Sequence, residues 1–204
     1  MPSDLQGDGV RRDALSRAIR PDAEGLPRVM GILNVTPDSF HADSRVTGQE
    51  AVERGLAMFE DGATWVDVGG ESTRPGADAV SVNEECARVI PVIQALKQAR
   101  PDSLVSIDTR HAPVAQAALE AGADMVNDVS GLRDPAMMDV VLEAGAAVCI
   151  MHMLGTPKTM QHDIQYNDVV NDVHEALFTT ASELVRRGHP AELICLDPGI
   201  GFGK

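Results

Sequence analysis

Basic residues are scarce in this chain: of 204 residues, 17 are Lys or Arg against 31 Asp or Glu, a formal charge of -14. No Lys/Arg-rich run interrupts the acidic background. A surface of that sign repels duplex nucleic acid and anionic membranes, so neither is expected as a partner. A small anionic substrate would need a metal ion or a local basic cluster. Cysteine is nearly absent as well. Cys86, Cys149 and Cys195 are far apart in sequence, the last two lie inside apolar runs, and no metal-ligand spacing connects them. They read as small hydrophobes in a reducing cytoplasm. Long apolar runs are missing too. Residues 1–20 hold no continuous apolar stretch of the kind that directs export, and nothing approaches the roughly 20 residues of a membrane span, so neither export nor insertion is expected.

What is present is a rhythm. With 44% apolar side chains the chain can bury a sizeable core, and its length suits one domain. Residues 1–26 are polar and read as an N-terminal extension, with an amphipathic piece over 11–19 that could be a helix or half a hairpin. From residue 27 onward, short apolar runs at 29–33, 64–68, 104–107, 125–127, 147–151 and 193–196 alternate with helical patterns. The spacing predicts helices over 49–60, from Ser81 to beyond Leu96, and over 113–120, 135–143 and 167–187. Ser81 and Glu84 form a capping-box pair, and Pro91 is expected to kink the second of these helices. Strands that look apolar on both faces and alternate with helices imply a parallel sheet wrapped by helices. A doubly wound sheet would place a Gly-rich phosphate turn after its first strand. Here polar residues end every strand, which points to a TIM (β/α)8 barrel whose site is assembled from the βα loops.

The strand ends offer Asn34, Asp67, Asp108, Asn127 with Asp128, His152 and Asp197. Carboxylates and amides held at the mouth of one barrel suit a flat heterocycle rich in hydrogen-bond donors. Any one Asp at a strand end could equally cap the next helix; recurrence at matching positions favours a site. The stretch Gly69-Gly70-Glu71-Ser72-Thr73-Arg74-Pro75-Gly76 is different in kind. Its glycines let backbone approach a ligand, Pro75 stiffens it, and Ser72, Thr73 and Arg74 supply donors suited to an anion.

Together these motifs resemble dihydropteroate synthase. The resemblance rests on Leu33-Asn34-Val35-Thr36-Pro37-Asp38-Ser39-Phe40, on Asp67 through Gly76, on Ser106-Ile107-Asp108-Thr109 and on Asn127-Asp128. It continues through Met151-His152-Met153, residues 155–161 and residues 196–204, so that it covers about residue 28 to residue 204. It implies a (β/α)8 barrel of folate synthesis, a sulfonamide target, that joins dihydropterin-6-ylmethyl diphosphate to p-aminobenzoate and releases diphosphate. It further implies Mg²⁺ beside the departing diphosphate, with Asn34 at that corner. Asp108, Asn127 and Asp197 would grip the pterin edge, Asp67 would lie near the reacting centre, and Met151 would line the substrate site. Phe40, Thr73, Pro75 and Phe202 match positions that form the p-aminobenzoate pocket, and Arg74 is a further substrate-binding candidate. The implied route is dissociative: the C–O bond breaks first, and the surrounding carboxylates stabilise the pterin cation without a covalent protein nucleophile. His152 matches a family position too, as a catalytic group or as a brace for its own loop.

Three departures qualify the pattern. His41-Ala42-Asp43-Ser44 replaces the usual Ser-Asp-Gly-Gly, removing two glycines from the first loop, and Ile200 replaces a frequent Phe. The family's seventh and eighth strands, with a Ser-Arg-Lys motif and an Arg and His for the diphosphate, fall outside these 204 residues, so a C-terminally truncated synthase is expected. The family's homodimer contacts lie largely in those C-terminal helices. A non-catalytic pterin-binding relative or an inactive fragment is the alternative.

Overall fold

The computed structural model describes residues 4–36, 44–72, 79–156, 158–161 and 164–204. Six parallel strands, β1 (Met30–Asn34), β2 (Trp65–Gly69), β3 (Leu104–Asp108), β4 (Met125–Asp128), β5 (Ala147–Met151) and β6 (Ile194–Asp197), form one sheet. Before β1 comes helix α1 (Asp4–Ile19). The crossovers carry α2 (Ser44–Glu60), α3 (Val82–Ala99), α4 (Ala112–Glu120), α5 (Pro135–Ala144) and α6 (Val169–Arg186). Spatial order equals sequence order, β1 to β6. A doubly wound sheet reverses its order at a switch point, whereas a barrel adds each strand to the same side, so the topology is that of the TIM barrel. No described helix is long and apolar enough to cross a membrane.

Side chains alternate along each strand and match across the register, which fixes two faces. The outer face is apolar but for Asp128 at the end of β4: Val66, Val68, Val105, Ile107, Val126 and Val148 are fully buried against the helices, among them Val89, Val92, Ile93 and Leu96 of α3. Each such side chain contributes about 1.5–3 kcal/mol relative to exposure. The inner face is mixed: it is apolar toward the strand starts, with Trp65, Leu104, Met125 and Ala147, and carries Asp67, Ser106, Asp108, Asn127 and Asp197 toward the carboxyl ends, so the expectation of strands apolar on both faces holds for β5 and is corrected for β2, β3, β4 and β6. Among the described residues no strand pairs with the free edges of β1 and β6, and Ile32 on the inner face of β1 is 66% exposed.

Helix α1 resolves the ambiguity of residues 11–19. Its Leu15 and Ala18 pack on Trp65, Met125, Ala147 and Leu193, residues at or just before the starts of β2, β4, β5 and β6. Trp65 Nε1 donates to Ala18 O at 3.0 Å, and Arg12 Nε donates to Glu192 at 2.9 Å. The helix therefore closes the amino-terminal mouth of the barrel. Helix α2 begins at Ser44, earlier than the spacing suggests. Helix α3 has half of a capping box: Ser81 accepts from Glu84 N, while the Glu84 carboxylate pairs with Arg88. Pro91 lies within α3.

Candidate active site

The register places the strand-end residues on one face. Asn34, Gly69, Asp108, Asn127, Cys149 and Cys195 are successive neighbours across the sheet, so their side-chain directions coincide. Asp67 lies two residues before Gly69, and Met151 and Asp197 lie two residues beyond Cys149 and Cys195, so all three share that face. Gly69 keeps a gap in the row. A methyl group there would stand 3.3 Å from Asp108 Oδ2 and 3.6 Å from Asn34 Oδ1, so the amide and the carboxylate lean over the glycine.

Asn127 Nδ2 donates to Asp67 Oδ2 at 2.8 Å, while Asp67 Oδ1 and Asp108 Oδ1 are buried without a hydrogen-bond partner. Burial raises the Asp67 carboxyl above its ordinary pKa, although the Ser106 hydroxyl and then the Asn127 amide work against the shift. Asp108 is pushed well above the ordinary range, first by burial and then by the neighbouring charges of Asp67 and Glu85. Two unpaired buried carboxylate oxygens form a site short of donors and of positive charge.

Asp197 keeps part of the capping role that a strand-end Asp can play. Its Oδ1 accepts from Gly199 N at 2.7 Å, and Gly199 has φ of 63° with His152 O directly beneath it. Asp128 is purely architectural. It belongs to the opposite face by register with Ile150, and its two oxygens accept from Ser130 N at 2.7 Å and Leu132 N at 3.0 Å. His152 braces its surroundings: its N–H donates to Asp197 O, its carbonyl accepts from Lys204 Nζ, and its ring lies 6.2 Å from Tyr166. Burial lowers its pKa. Lys204 also donates to the carbonyls of Gly199 and Phe202, so it ties the loop after β6 to the end of β5. Phe202 packs on Val129, Met151, Met153 and Met160, an apolar cluster at the carboxyl ends of the strands. Phe40, Thr73, Arg74 and Pro75 lie outside the described residues, as do His41, Ala42 and Asp43.

Several partnerships escape the sequence because only register or tertiary contact creates them. Cys149 and Cys195, far apart in the chain, are neighbours on β5 and β6. The proximity of the two thiols lowers the Cys195 thiol and, together with burial, raises Cys149. Glu71 and Arg110 form a bidentate pair, and Glu85 meets His111 Nδ1 at 2.7 Å. The only sequence signal for the first pair was the Glu inside the Gly-rich motif. Among the described residues no three His, Cys, Asp or Glu side chains group in a way that could hold a metal ion.

Comparison with known proteins gives the same picture. Residues 30–204 match the family described as pterin binding enzyme. The chain is 45% identical over 179 residues to dihydropteroate synthase of Escherichia coli (strain K12), covering 87% of this chain and 63% of that protein. To a probable bifunctional folylpolyglutamate synthase/dihydropteroate synthase of Haloferax volcanii it is 50% identical over 177 residues, 86% of this chain and 21% of that protein. Among solved structures, Xanthomonas albilineans dihydropteroate synthase with 4-aminobenzoic acid superposes with a TM-score of 0.79 at 44% identity, covering 91% of this chain and 63% of that one. Burkholderia cenocepacia dihydropteroate synthase complexed with 7,8-dihydropteroate superposes with a TM-score of 0.76 at 47% identity, covering 87% and 60%. The chain thus spans less than two thirds of each of these proteins.

Proposed function

The chain belongs to the pterin-binding enzyme family, and from that premise we propose that it forms the pterin site of a cytoplasmic dihydropteroate synthase. The reaction is the condensation of dihydropterin-6-ylmethyl diphosphate with p-aminobenzoate to dihydropteroate and diphosphate. The observation that carries this reading is the inner face itself, with the buried, unpartnered oxygens of Asp67 and Asp108 beside Asn127. A pterin edge brings ring N–H and amino donors. Asp108 and Asp197 accept them, and Asn127, held by Asp67 at 2.8 Å, both donates and accepts. Met151 lines the pterin side of the mouth. Phe202, next to it, forms an apolar wall for p-aminobenzoate, with Phe40, Thr73, Arg74 and Pro75 as its further contacts.

The electrostatics support a dissociative route. The C–O bond breaks, the diphosphate leaves with the bonding electron pair, and positive charge spreads over the pterin and its methylene carbon. The arylamine nitrogen then forms the new C–N bond and releases a proton. Asp67 and Asp108 repel each other in the free site, so a cation between them is stabilised where it develops. Asn34 Oδ1 near Gly69 is the protein donor proposed for Mg²⁺. A single amide oxygen fits an ion that keeps most of its waters and is carried by substrate phosphates. When bound, the ion neutralises charge on the departing diphosphate.

Titrating the chain calorimetrically with the pterin diphosphate and Mg²⁺, then adding p-aminobenzoate and following dihydropteroate, tests the reading. Saturable pterin binding that Asn127→Ala weakens, followed by product, is expected. Absence of pterin binding by the wild-type chain refutes the site, and binding without product would leave a pterin binder.

A further inference from the structure

Cys149 of β5 and Cys195 of β6 are register partners on neighbouring parallel strands. Their side chains leave the sheet on the inner face, in the row that runs from Asp108 through Asn127 to Cys149 and Cys195. Both are free thiols, and both are partly exposed. Neighbouring strands lie about 4.7–4.9 Å apart, inside the window of about 4.4–6.8 Å between Cα atoms that a disulfide spans. Cys86 belongs to another layer, packing from α3 against the core between helices and strands. The two inner thiols are unequal. Proximity lowers Cys195, whereas the same proximity and burial raise Cys149. Cys195 is therefore the thiol that ionises and attacks, and Cys149 is the one placed to resolve.

We propose that Cys149 and Cys195 form an oxidation site in the floor of the pterin pocket, where a hydroperoxide closes them into a disulfide and a bound pterin shields them. The pairing stands on the register; the effect on pterin rests on the function assigned above. With hydrogen peroxide the chemistry takes two steps. The Cys195 thiolate attacks one peroxide oxygen, the O–O bond breaks, and the departing hydroxide takes the proton that Cys195 released, leaving a sulfenic acid and one water. The Cys149 sulfur then attacks Cys195 Sγ, the S–O bond breaks, and the departing hydroxide takes the Cys149 proton as a second water. Two thiols lose two electrons, and the peroxide gains them. Closure reshapes the pocket. A disulfide holds its Cβ atoms about 3.5–4.5 Å apart, closer than the spacing of the strands by roughly an ångström at most. β5 and β6 must pinch at this level, and Met151 and Asp197, two residues beyond the cysteines, move with them. A displacement of that size costs a closely held ligand on the order of tenfold in affinity.

The test treats the reduced wild-type chain with hydrogen peroxide, alkylates the remaining thiols and reads the digest by mass spectrometry. The ligand is 6-hydroxymethylpterin, whose ring is already oxidised and does not consume peroxide. Expected are a peptide linked through Cys149 and Cys195 that dithiothreitol separates, an alkylated Cys86, and slower linkage when pterin is saturating. The pterin Kd of the oxidised chain should be weaker on the order of tenfold. In Cys195→Ser the pterin Kd should not respond to peroxide, whereas Cys86→Ser should respond as wild type does. Both thiols remaining alkylatable, or Cys195 oxidised without a link to Cys149, overturns the pairing. A linked chain whose pterin Kd equals that of the reduced chain, or a pterin that gives no protection, overturns the placement in the pocket. A reduced wild-type chain that binds no pterin refutes the functional reading instead, and the peptide map still decides the disulfide.

Discussion

Replacing Asp108 by Asn separates what the fold wants from what the site wants. The Asp108 carboxyl is buried, lacks a partner at Oδ1 and faces the charges of Asp67 and Glu85, so its pKa in the folded chain lies well above the ordinary 3.8. A raised folded-state pKa means that stability is full below the unfolded value, where the group is protonated in both states, and is lost as pH rises through the folded value. Every tenfold strengthening of proton binding corresponds to about 1.4 kcal/mol of that loss. For a domain of this size 1 kcal/mol moves Tm by roughly 2–4 °C. Asn cannot ionise and has nearly the same shape. The ligand-free Asp108→Asn chain is therefore expected to melt several degrees above wild type at pH 8, with the gap shrinking toward pH 5; taking the difference between the two chains cancels the other titrating groups. Pterin affinity should move the opposite way, since losing a hydrogen bond to a charged acceptor costs about 1.5–3 kcal/mol, roughly 10- to 150-fold in Kd. Melting curves by circular dichroism across that pH range, with pterin titrations at pH 8, measure both. A pH-independent Tm difference, or a variant less stable than wild type at pH 8, would refute the claim that this carboxylate is uncompensated.

Three further outcomes are expected. Gly199→Ala must place a methyl group against His152 O while holding φ at 63°, a cost of about 1–3 kcal/mol or more that also displaces Asp197; a denaturant midpoint and a pterin Kd both at wild-type values would contradict it. Trp65→Phe leaves Ala18 O without its buried donor, so the chain should lose about 1–3 kcal/mol and the amides of α1 should exchange faster; unchanged exchange in α1 would show that the helix is held by other contacts. Mg²⁺ added alone should give no saturable heat in calorimetry, and saturable heat should emerge once inorganic diphosphate is present. Tight binding by the chain alone would point to a protein cage that Asn34 does not provide.

The elements that sequence reading recovers best are those whose evidence is local. Apolar runs and helical spacing locate all six strands and the helices after β1, and the polar residue at each strand end favours a barrel over a doubly wound sheet, as the strand order confirms. The inner face was harder to see. Val66, Asp67 and Val68 read as one apolar run around an acid, and only the register shows that the valines and the acid serve opposite faces. Partnerships that depend on register or on loops meeting, Asn127 with Asp67, Glu71 with Arg110 and Cys149 with Cys195, leave no trace in spacing. Helix α1 was ambiguous for the same reason, because its apolar side chains meet the starts of several separate strands.

That docking has a consequence for how the molecule is made. Helix α1 leaves the ribosome before the strands it packs on, and the surface that receives it includes Ala147 and Leu193, while its Arg12 pairs with Glu192 across 180 residues of chain. Until those residues have emerged, Leu15 and Ala18 have no complete seat, and contacts of such long sequence separation form slowly. Helix α1, made before its seat exists, is thus among the last elements of this domain to settle. A bulky fusion placed immediately before it would act on the closing step of folding and leave the growth of the sheet untouched.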